Sequence, residues 1–326
     1  MAIDQIRAKS TSTMQAVVIN RYGGTEVLEL TSFPIPKPKL GEILVRIHAA
    51  SINPLDYKIR SGQLKIFTGK KFPRILGCDF AGEIVDIGST KTELEVGTRV
   101  FGMLNGFKGG AYAEYVSVPV EWLTQIPSKL SYEEASAIPV AARAAKKALR
   151  SFVGQTKQQS VLLNGASGGV GTFAVQLARL AGATVTAVCS RDAFNLVEQL
   201  GVYRVLDYKD TDFTKIGERY DLVFDIVGNR SFCACAPVLN PGGIYITTAP
   251  SVGGIVAQVF AQPLTGKRAE ILDISPDGAD LMQIASLINE NYLRPIVAKV
   301  FTLAEAAAAH AYGQSQHPHG KIILQM

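Results

Sequence analysis

Residues 161–190 read VLLNGASGGVGTFAVQLARLAGATVTAVCS, and this stretch decides the fold. Its first residues, Val161 to Leu163, form a short apolar run of the kind found in parallel strands that are buried on both faces. Apolar residues then recur at helical spacing until Gly182 ends the helix, and residues 183–189 form a second strand. The stretch therefore predicts one β–α–β unit.

The turn between the first strand and the helix is rich in glycine. Such a turn lets the backbone approach a pyrophosphate and directs the positive end of the helix dipole toward it. A lone glycine triplet would fit an ordinary tight turn equally well, but here strand, turn, helix and second strand follow in register. We therefore expect a dinucleotide site formed by Gly165, Ser167, Gly168, Gly169, Val170 and Gly171.

Length and composition restrict the class of protein. The 326 residues suffice for two domains, and a hydrophobic share of 47% can form a large core. A net charge of +5 without a basic block argues against a nucleic-acid partner and is compatible with an anionic cofactor. No apolar run is long enough to span a bilayer, and four cysteines without a disulfide framework suit a reducing compartment, so we expect a cytoplasmic protein.

The pattern around the β–α–β unit predicts two domains. Short strands separated by glycine and proline in the first third predict a small, partly closed barrel. A helix over residues 132–149 leads to the unit, and strands then alternate with helices, which predicts a doubly wound parallel sheet. A strand–helix–strand tail is expected to return to the barrel. The expected division is a flexible extension at 1–13, a barrel domain at 14–130 and 295–326, and a dinucleotide-binding domain at 131–294.

Several motifs occur in a characteristic order: Asn53-Pro54-x-Asp56-x-x-x-Arg60-x-Gly62, Gly77-x-Asp79-x-x-Gly82, the glycine turn, Asp207-Tyr208, and Gly320-Lys321-Ile322-Ile323-Leu324. Together they resemble the zinc-free quinone oxidoreductase branch of the medium-chain dehydrogenase/reductase superfamily, over nearly everything from Met14 onward. The resemblance implies an α/β protein with a chaperonin-like β-barrel catalytic domain and a Rossmann domain. It also implies hydride transfer from NADPH to quinones or to activated carbon–carbon double bonds.

The motif positions also bear on metal. Where zinc-dependent relatives have Gly-His-Glu this chain has Gly77-Cys78-Asp79, and where they place the first zinc cysteine it has Asn53-Pro54. Zinc sites need cysteine, histidine or carboxylate ligands around an open position. We therefore expect no metal. Reduction of an already polarised quinone or enone requires less electrostatic support than oxidation of an alcohol, for which zinc acts as the Lewis acid.

The end of the second strand indicates the cofactor. An NAD-selective site generally has an acidic residue there, whereas this chain has Ser190 and Arg191, which suit a 2′-phosphate. Asp192 is interpreted as a helix N-cap. Tyr208 matches a position where relatives place a tyrosine near that phosphate, with a core aromatic as the alternative. The expected cofactor is NADPH.

On the substrate side, Asn53 and Tyr57 are the expected catalytic residues. Asn53 would donate to a developing oxyanion, with ordinary turn chemistry before Pro54 as the alternative. Tyr57 would line the site or help to deliver a proton. Asp56 and Arg60 are expected to form an i,i+4 ion pair, and Asp79 to stabilise a turn.

Other residues complete the expected cofactor site. Gly228 and Thr247 follow or end successive strands and are expected near the ribose and nicotinamide. Lys321 either reaches the cofactor phosphates or caps the last helix. One departure is notable: relatives often read Pro-x-x-Gly-x-Thr-Ala where residues 139–145 here read PVAARAA, so the glycine and the hydroxyl residue are both lost and Arg143 lies between them.

This departure keeps other functions open. The first hypothesis is an NADPH-dependent quinone or enone reductase acting on a small molecule. The second is an NADPH-binding redox sensor or scaffold with weak or lost catalysis, and the third is an enoyl-thioester reductase. A homodimer is expected, because residues 244–248 form an apolar strand near the sheet edge and the apolar segment 252–260 would cover the same interface, with a buried internal helix as the alternative for that segment.

Overall fold

The computed structural model describes residues 12–151, 158–248 and 266–326. The strands in these ranges, β1 to β16 in chain order, are Thr13–Ile19, Glu29–Pro34, Glu42–Ile52, Arg74–Ile75, Asp79–Asp86, Arg99–Met103, Tyr115–Pro119, Leu123–Gln125, Ser160–Asn164, Thr184–Cys189, Arg204–Asp207, Tyr220–Asp225, Leu239–Thr247, Arg268–Ile271, Val297–Thr302 and Lys321–Gln325. The α-helices there, α1 to α9, are Pro54–Arg60, Lys65–Thr68, Tyr132–Ser136, Pro139–Ala148, Gly169–Leu180, Phe194–Gln199, Phe232–Cys235, Gly278–Asn289 and Ala306–Ser315. The predicted segment 252–260 and most of the predicted extension lie outside the described residues.

Six parallel strands form the central sheet, in the order β11-β10-β9-β12-β13-β14. Counted from β9, this is the 3-2-1-4-5-6 order of a Rossmann fold, whose switch point lies between β9 and β12. Val161, Leu162 and Leu163 of β9 have no exposed surface, because helices cover both faces of the sheet. The predicted parallel sheet is therefore confirmed.

The remaining strands form a barrel-like domain around β3. β3 pairs antiparallel with β5, β7 and β16, so the last strand of the chain returns to the first domain as predicted. A smaller sheet, β2-β1-β4, lies beside it. We propose the domain division at 14–130 with 295–326, and 131–294, which fits this separation of strands; β1 begins at Thr13, one residue earlier.

Two predicted elements differ from the structure. The expected helix over 132–149 is two helices, α3 and α4, because Pro139 has no N–H to continue the first helix and instead begins the second. The apolar strand expected at residues 244–248 is longer, Leu239–Thr247, and it lies next to the edge as predicted. β14 pairs outside it and is the edge strand on that side among the described residues.

A buried polar chain joins the last helix, α9, to the first helix, α1. Arg60 Nη1 donates to His310 Nδ1 over 3.0 Å, and the opposite ring nitrogen of His310 lies 3.1 Å from the Tyr112 hydroxyl. That hydroxyl donates to Asp56 Oδ2 over 3.0 Å. Because arginine can only donate, Nδ1 must accept, so Nε2 carries the proton and donates to the Tyr112 oxygen.

The expected i,i+4 ion pair of Asp56 and Arg60 is therefore wrong. The Asp56 carboxylate accepts hydrogen bonds from the Tyr112 hydroxyl, from the backbone N–H of Asn53 at 2.8 Å and from the backbone N–H of Gly77 at 3.2 Å. Arg60 turns instead to His310 and to Gln314 Oε1, both on α9. These bonds anchor both ends of α1, the helix that begins after Asn53 and carries Tyr57.

The chain predicts a pH dependence of stability. Burial, with a smaller contribution from the charge of Arg60, lowers the pKa of His310 to about 3. A folded-state pKa below the unfolded value means that the native state is favoured above pH 6.5, and that this contribution is lost as the pH falls from 6.5 to 3. Burial raises the pKa of Asp56 to about 6. This carboxyl therefore adds to the free energy of unfolding as the pH falls from 6 to 3.8, which opposes the effect of His310.

His310→Gln removes only the first effect. The free energy of unfolding of the variant should therefore fall less on acidification than that of the wild type, by roughly 2 kcal/mol between pH 6.5 and 4.5. Urea denaturation at several pH values measures the difference in slope, and His317→Gln, in an exposed loop position, is the control. Parallel losses in wild type and His310→Gln would contradict the assignment.

Candidate functional site

A cavity of about 520 Å³ opens between the barrel and the Rossmann domain. The glycine turn and the ends of β9, β10 and β12 line one wall, and α1 with the start of β16 lines the other. Of the predicted site residues it brings together Asn53, Tyr57, Gly165, Ser167, Gly168, Gly169, Val170, Ser190, Tyr208 and Lys321. A wider depression of about 790 Å³ around Lys129 and Arg294 contains no part of the turn.

The glycine turn has the close packing that a dinucleotide needs. Gly165 has a φ of +93°, which a side chain would strain. A Cβ on Gly171 would collide with the carbonyl oxygen of Gly165, so this glycine lets α5 approach β9 closely. Gly168 is the N-cap of α5, and a Cβ there would meet nothing nearer than 3.6 Å. Free N–H groups at the start of α5 and the open space at Gly168 fit a pyrophosphate.

Lys321 lies on the barrel side of the cavity, where its ammonium is buried. Its Nζ donates to Asn53 Oδ1 over 2.6 Å, to the Ile52 carbonyl over 3.1 Å, and to Asp79 Oδ2 over 3.3 Å. The last helix has no part in these bonds, so the capping alternative is wrong. The aliphatic part of the side chain packs against Gly169, where a Cβ would lie 3.0 Å from Lys321 Cγ. Lys321 thus connects the glycine turn to Asn53.

Asn53 lies in the cavity, but its amide already has partners. Nδ2 donates to Asp79 Oδ2 over 2.9 Å and contacts Cys78 Sγ at 3.6 Å, while Oδ1 accepts from Lys321. An amide has two hydrogens, and both are directed at these acceptors. In this arrangement Asn53 orients the cluster and offers no free N–H to a substrate oxygen.

The sequence pattern suggested that Asp79 stabilises a turn, but the structure places it in a strand. It is the first residue of β5, has no exposed surface, and accepts four hydrogen bonds. Besides Asn53 and Lys321, the donors are the Ser51 hydroxyl at 2.8 Å and the backbone N–H of Val140 at 3.0 Å. Val140 lies in the first turn of α4, so Asp79 also satisfies a helix N-terminus of the Rossmann domain.

The Tyr57 hydroxyl, in contrast, has no hydrogen-bond partner among the described residues, although Tyr57 lines the cavity. Its ring packs edge-on against His310, with centroids 5.0 Å apart. Gly313 of α9 leaves room for the hydroxyl, with which a Cβ would collide. Burial raises the pKa of Tyr57, so the phenol keeps its proton and can act as a donor.

At the far end of the cavity, Ser190 and Tyr208 follow β10 and β11. Tyr208 is 48% exposed, which excludes the core-aromatic alternative. Arg191 is largely exposed, and its guanidinium lies 3.3 Å from Asp210 and 3.7 Å from Asp207. Asp192 is not an N-cap: Ser190 holds that position in a 3-10 turn, and Asp192 pairs with His319 at 3.4 Å.

The carboxyl end of β12 forms a further wall around buried Asp225. This carboxylate accepts from Asn164 Nδ2 at 2.7 Å and from the backbone amides of Gly228 at 3.0 Å and Arg230 at 2.9 Å. Gly228 thus helps to fix this loop through its backbone N–H, and its neighbours Val227 and Asn229 line the cavity. Thr247 ends β13 and is buried, and neither it nor Gly171, Arg191 or Gly228 is part of the cavity wall.

Sequence reasoning missed several cavity residues: Asn164, Thr211, Phe213, Asn229, Arg230, Gly313 and His317. The position of Asn164 and Asn229 at or just after the ends of parallel strands was a usable signal. Phe213, Gly313 and His317 reach the cavity through tertiary packing, and no signal in the sequence indicated their positions.

Arg143 is directed away from the cavity. Its Nε donates to Asp280 Oδ2 of α8 over 2.8 Å, and its Nη1 bonds to the Ser275 carbonyl. In the same helix, Ala141 lines the cavity. Within the described ranges, no group of three or more His, Cys, Asp or Glu side chains is placed to hold a metal ion. None of the helices there is long and apolar enough to cross a membrane.

Comparison with known proteins agrees with this architecture. The family model described as an alcohol dehydrogenase GroES-like domain matches residues 39–128, and one described as a zinc-binding dehydrogenase matches residues 200–324. A chloroplastic quinone oxidoreductase of Triphysaria versicolor is 33% identical over 323 residues, covering 96% of this chain and 98% of its own length.

Two further proteins are similar over their whole length. A mitochondrial NAD(P)H oxidoreductase of Danio rerio is 30% identical, covering 98% of this chain and 93% of its own. The structure of a quinone oxidoreductase from Coxiella burnetii superposes with a TM-score of 0.88 at 31% identity, covering 97% of this chain and 100% of its own. These likenesses support an oxidoreductase with a nicotinamide cofactor. The chain belongs to the quinone oxidoreductase branch of the medium-chain dehydrogenase/reductase superfamily.

Proposed function

We propose that this oxidoreductase uses NADPH to reduce quinones or α,β-unsaturated carbonyl compounds without a metal ion. The observation that carries the proposal is the cavity itself, which brings the glycine turn, the Lys321–Asn53–Asp79 cluster and the unpartnered Tyr57 hydroxyl together. An acceptor that carries its own electron sink needs a hydrogen-bond donor at its oxygen, and the Tyr57 hydroxyl in this cavity is such a donor.

The residues have separate tasks in this proposal. The backbone of the glycine turn holds the pyrophosphate, and a bound reduced nicotinamide supplies the hydride. As hydride reaches the acceptor carbon, the π electrons move to the carbonyl oxygen, where negative charge develops. The Tyr57 O–H donates to that oxygen, and the nearby charge of Lys321 favours the same change. The proton that completes the reduction comes from solvent directly, or from Tyr57, which then regains a proton from solvent.

NADPH is preferred to NADH in this proposal because of Ser190, Arg191 and Tyr208. Among the described residues, the ion-pair partners of Arg191 are the exposed Asp210 at 3.3 Å and the buried Asp207 at 3.7 Å, and its own side chain is 77% exposed, so its guanidinium can turn to a 2′-phosphate. Charge-assisted bidentate bonds of that kind are among the strongest polar contacts. The cytoplasm is the proposed compartment, which the free thiols of the four cysteines support. The named relatives are chloroplastic and mitochondrial.

We also propose a homodimer. The outer edge of β14 is unpaired among the described residues, and Ile271 on this strand is 39% exposed. An open edge with an apolar side chain can pair with a second copy. A monomer mass in light scattering would exclude it.

The function is tested by steady-state NADPH oxidation with panels of quinones, enones and enoyl thioesters, in the presence of a metal chelator. We expect turnover of quinones or enones that the chelator does not change. Tight NADPH binding without turnover of any acceptor would favour the sensor, and turnover of thioesters alone would favour the enoyl-thioester reductase. Loss of activity with the chelator, restored by zinc, would overturn the metal-free mechanism.

Tyr57→Phe removes the proposed donor and keeps the ring that packs on His310. We expect kcat to fall about 100-fold, the effect of losing one such donor, while the Kd for NADPH is unchanged. Tyr312→Phe, on α9 outside the cavity wall, is the matched control and should retain full activity. A Tyr57→Phe enzyme as fast as the wild type would assign the donor to another group.

Arg191→Ala tests the cofactor preference. The Kd for NADPH should rise about 10- to 100-fold, because the charged hydrogen bonds to the 2′-phosphate are lost, while the Kd for NADH stays the same. Fluorescence titration with both nucleotides measures the change. Arg204→Ala, which removes a half-exposed arginine paired with Glu218, is the control. Equal wild-type affinity for the two nucleotides would contradict the proposal.

A further inference from the structure

Three large apolar side chains lie exposed together on the barrel domain. Ile66 is 87% exposed, Phe67 72% and Phe107 44%, and the two phenylalanine rings lie 5.8 Å apart. Other exposed large apolar side chains among the described residues, such as Tyr203, lie in other segments of the chain. Single exposed apolar residues are ordinary, but an apolar cluster indicates a contact surface. We call Ile66, Phe67 and Phe107 the platform.

The platform is a built feature, because Arg74 connects its two segments. Arg74 Nη1 donates to the carbonyl of Phe107 over 2.8 Å, and Nη2 donates to the carbonyl of Thr68. Phe72 packs edge-on against Tyr22 with centroids 5.0 Å apart, which anchors the same segment to the barrel. These contacts hold the loop of Phe107 beside α2. They are independent of the cavity and of the proposed reaction.

The charge around the platform has one sign. Residues 61–74 read SGQLKIFTGKKFPR and residues 104–112 read LNGFKGGAY, and neither segment contains an aspartate or glutamate. Lys65, Lys70, Lys71 and Lys108 are all exposed. Four exposed lysines therefore flank the apolar side chains in the sequence, without carboxylates in the same two segments to neutralise them.

This combination selects one kind of partner. Protein interfaces are depleted of lysine at their centres, and two copies of the platform face to face would bring eight lysines together. An anionic lipid surface fits both features, because aromatic and aliphatic side chains enter the headgroup region while lysines contact the phosphates. We propose that the platform docks this protein on the surface of an anionic bilayer, without spanning it.

The platform adjoins the wall of the cavity. Gly106, next to Phe107, lies against Leu55 of α1, where a Cβ would be 2.6 Å from Leu55 Cδ2. Pro54 and Tyr57 of the same helix line the cavity. Docking would therefore hold the side of the protein that carries α1 toward the lipid.

The experiment is co-sedimentation of the full chain with vesicles of phosphatidylcholine, alone or with roughly one-third phosphatidylserine. We expect binding to the anionic vesicles, weak binding to the neutral ones, and weakening by salt. Ile66→Ser with Phe67→Ser, and separately Lys70→Gln with Lys71→Gln, should each reduce binding about 10- to 30-fold. All variants should bind nicotinamide nucleotide as the wild type does, which shows that they are folded.

The controls match each change. Tyr203→Ser removes an equally exposed apolar side chain, and Lys91→Gln with Lys215→Gln removes two exposed lysines elsewhere. Neither should alter vesicle binding. Absence of binding, equal binding to both kinds of vesicle, or loss of binding in the controls would overturn the proposal. Self-association of the wild type in light scattering that Phe67→Ser abolishes would assign the platform to a second copy and overturn it as well.

Discussion

The arrangement of the two domains depends on the buried carboxylate of Asp79. It accepts hydrogen bonds from four elements: Ser51 in β3, Asn53 at the start of α1, Lys321 in β16 and the Val140 amide in α4. The first three belong to the barrel domain and the fourth to the Rossmann domain. Removing one partner of a buried ion pair usually costs about 3 to 5 kcal/mol, since the other charge is left unpaired. The Asp79 carboxylate therefore stabilises both the contact between the two domains and the wall of the cavity.

The need to pair buried charges also determines which hydrogen-bond donor remains available to a substrate. A buried Lys321 needs compensation, and Asp79 and Asn53 provide it. Asn53 is thereby committed at both ends of its amide. The Tyr57 hydroxyl, on the same helix, is left facing the cavity with its proton retained by burial. The polar cluster fixes the geometry of the cavity wall, and in the reaction proposed above Tyr57 is the donor to the acceptor oxygen.

Local patterns in the sequence predicted the parallel sheet, the glycine turn and the returning tail, because apolar periodicity and glycine conformations act within a few residues. Contacts between distant residues were out of reach. Asp56 and Arg60 have ideal spacing for an ion pair, yet Tyr112 and His310, 56 and 250 residues away, hold them apart. The contact of Lys321 with Asp79 was out of reach for the same reason, since nothing local shows that these two residues, 242 apart in sequence, lie together.

The placement of Arg143 bears on the choice between an enzyme and a sensor. The glycine and hydroxyl expected at residues 139–145 are absent, which first suggested an impaired site. However, Arg143 bonds to Asp280 and Ser275 outside the cavity, and the small side chain of Ala141 lines the wall in that helix. Arg143 therefore supports the packing of α4 on α8 without filling the site. Ala142 and Ala144, which stand where the glycine and the hydroxyl residue are expected, have small side chains, so the departure removes a hydroxyl but leaves Tyr57 in the cavity wall.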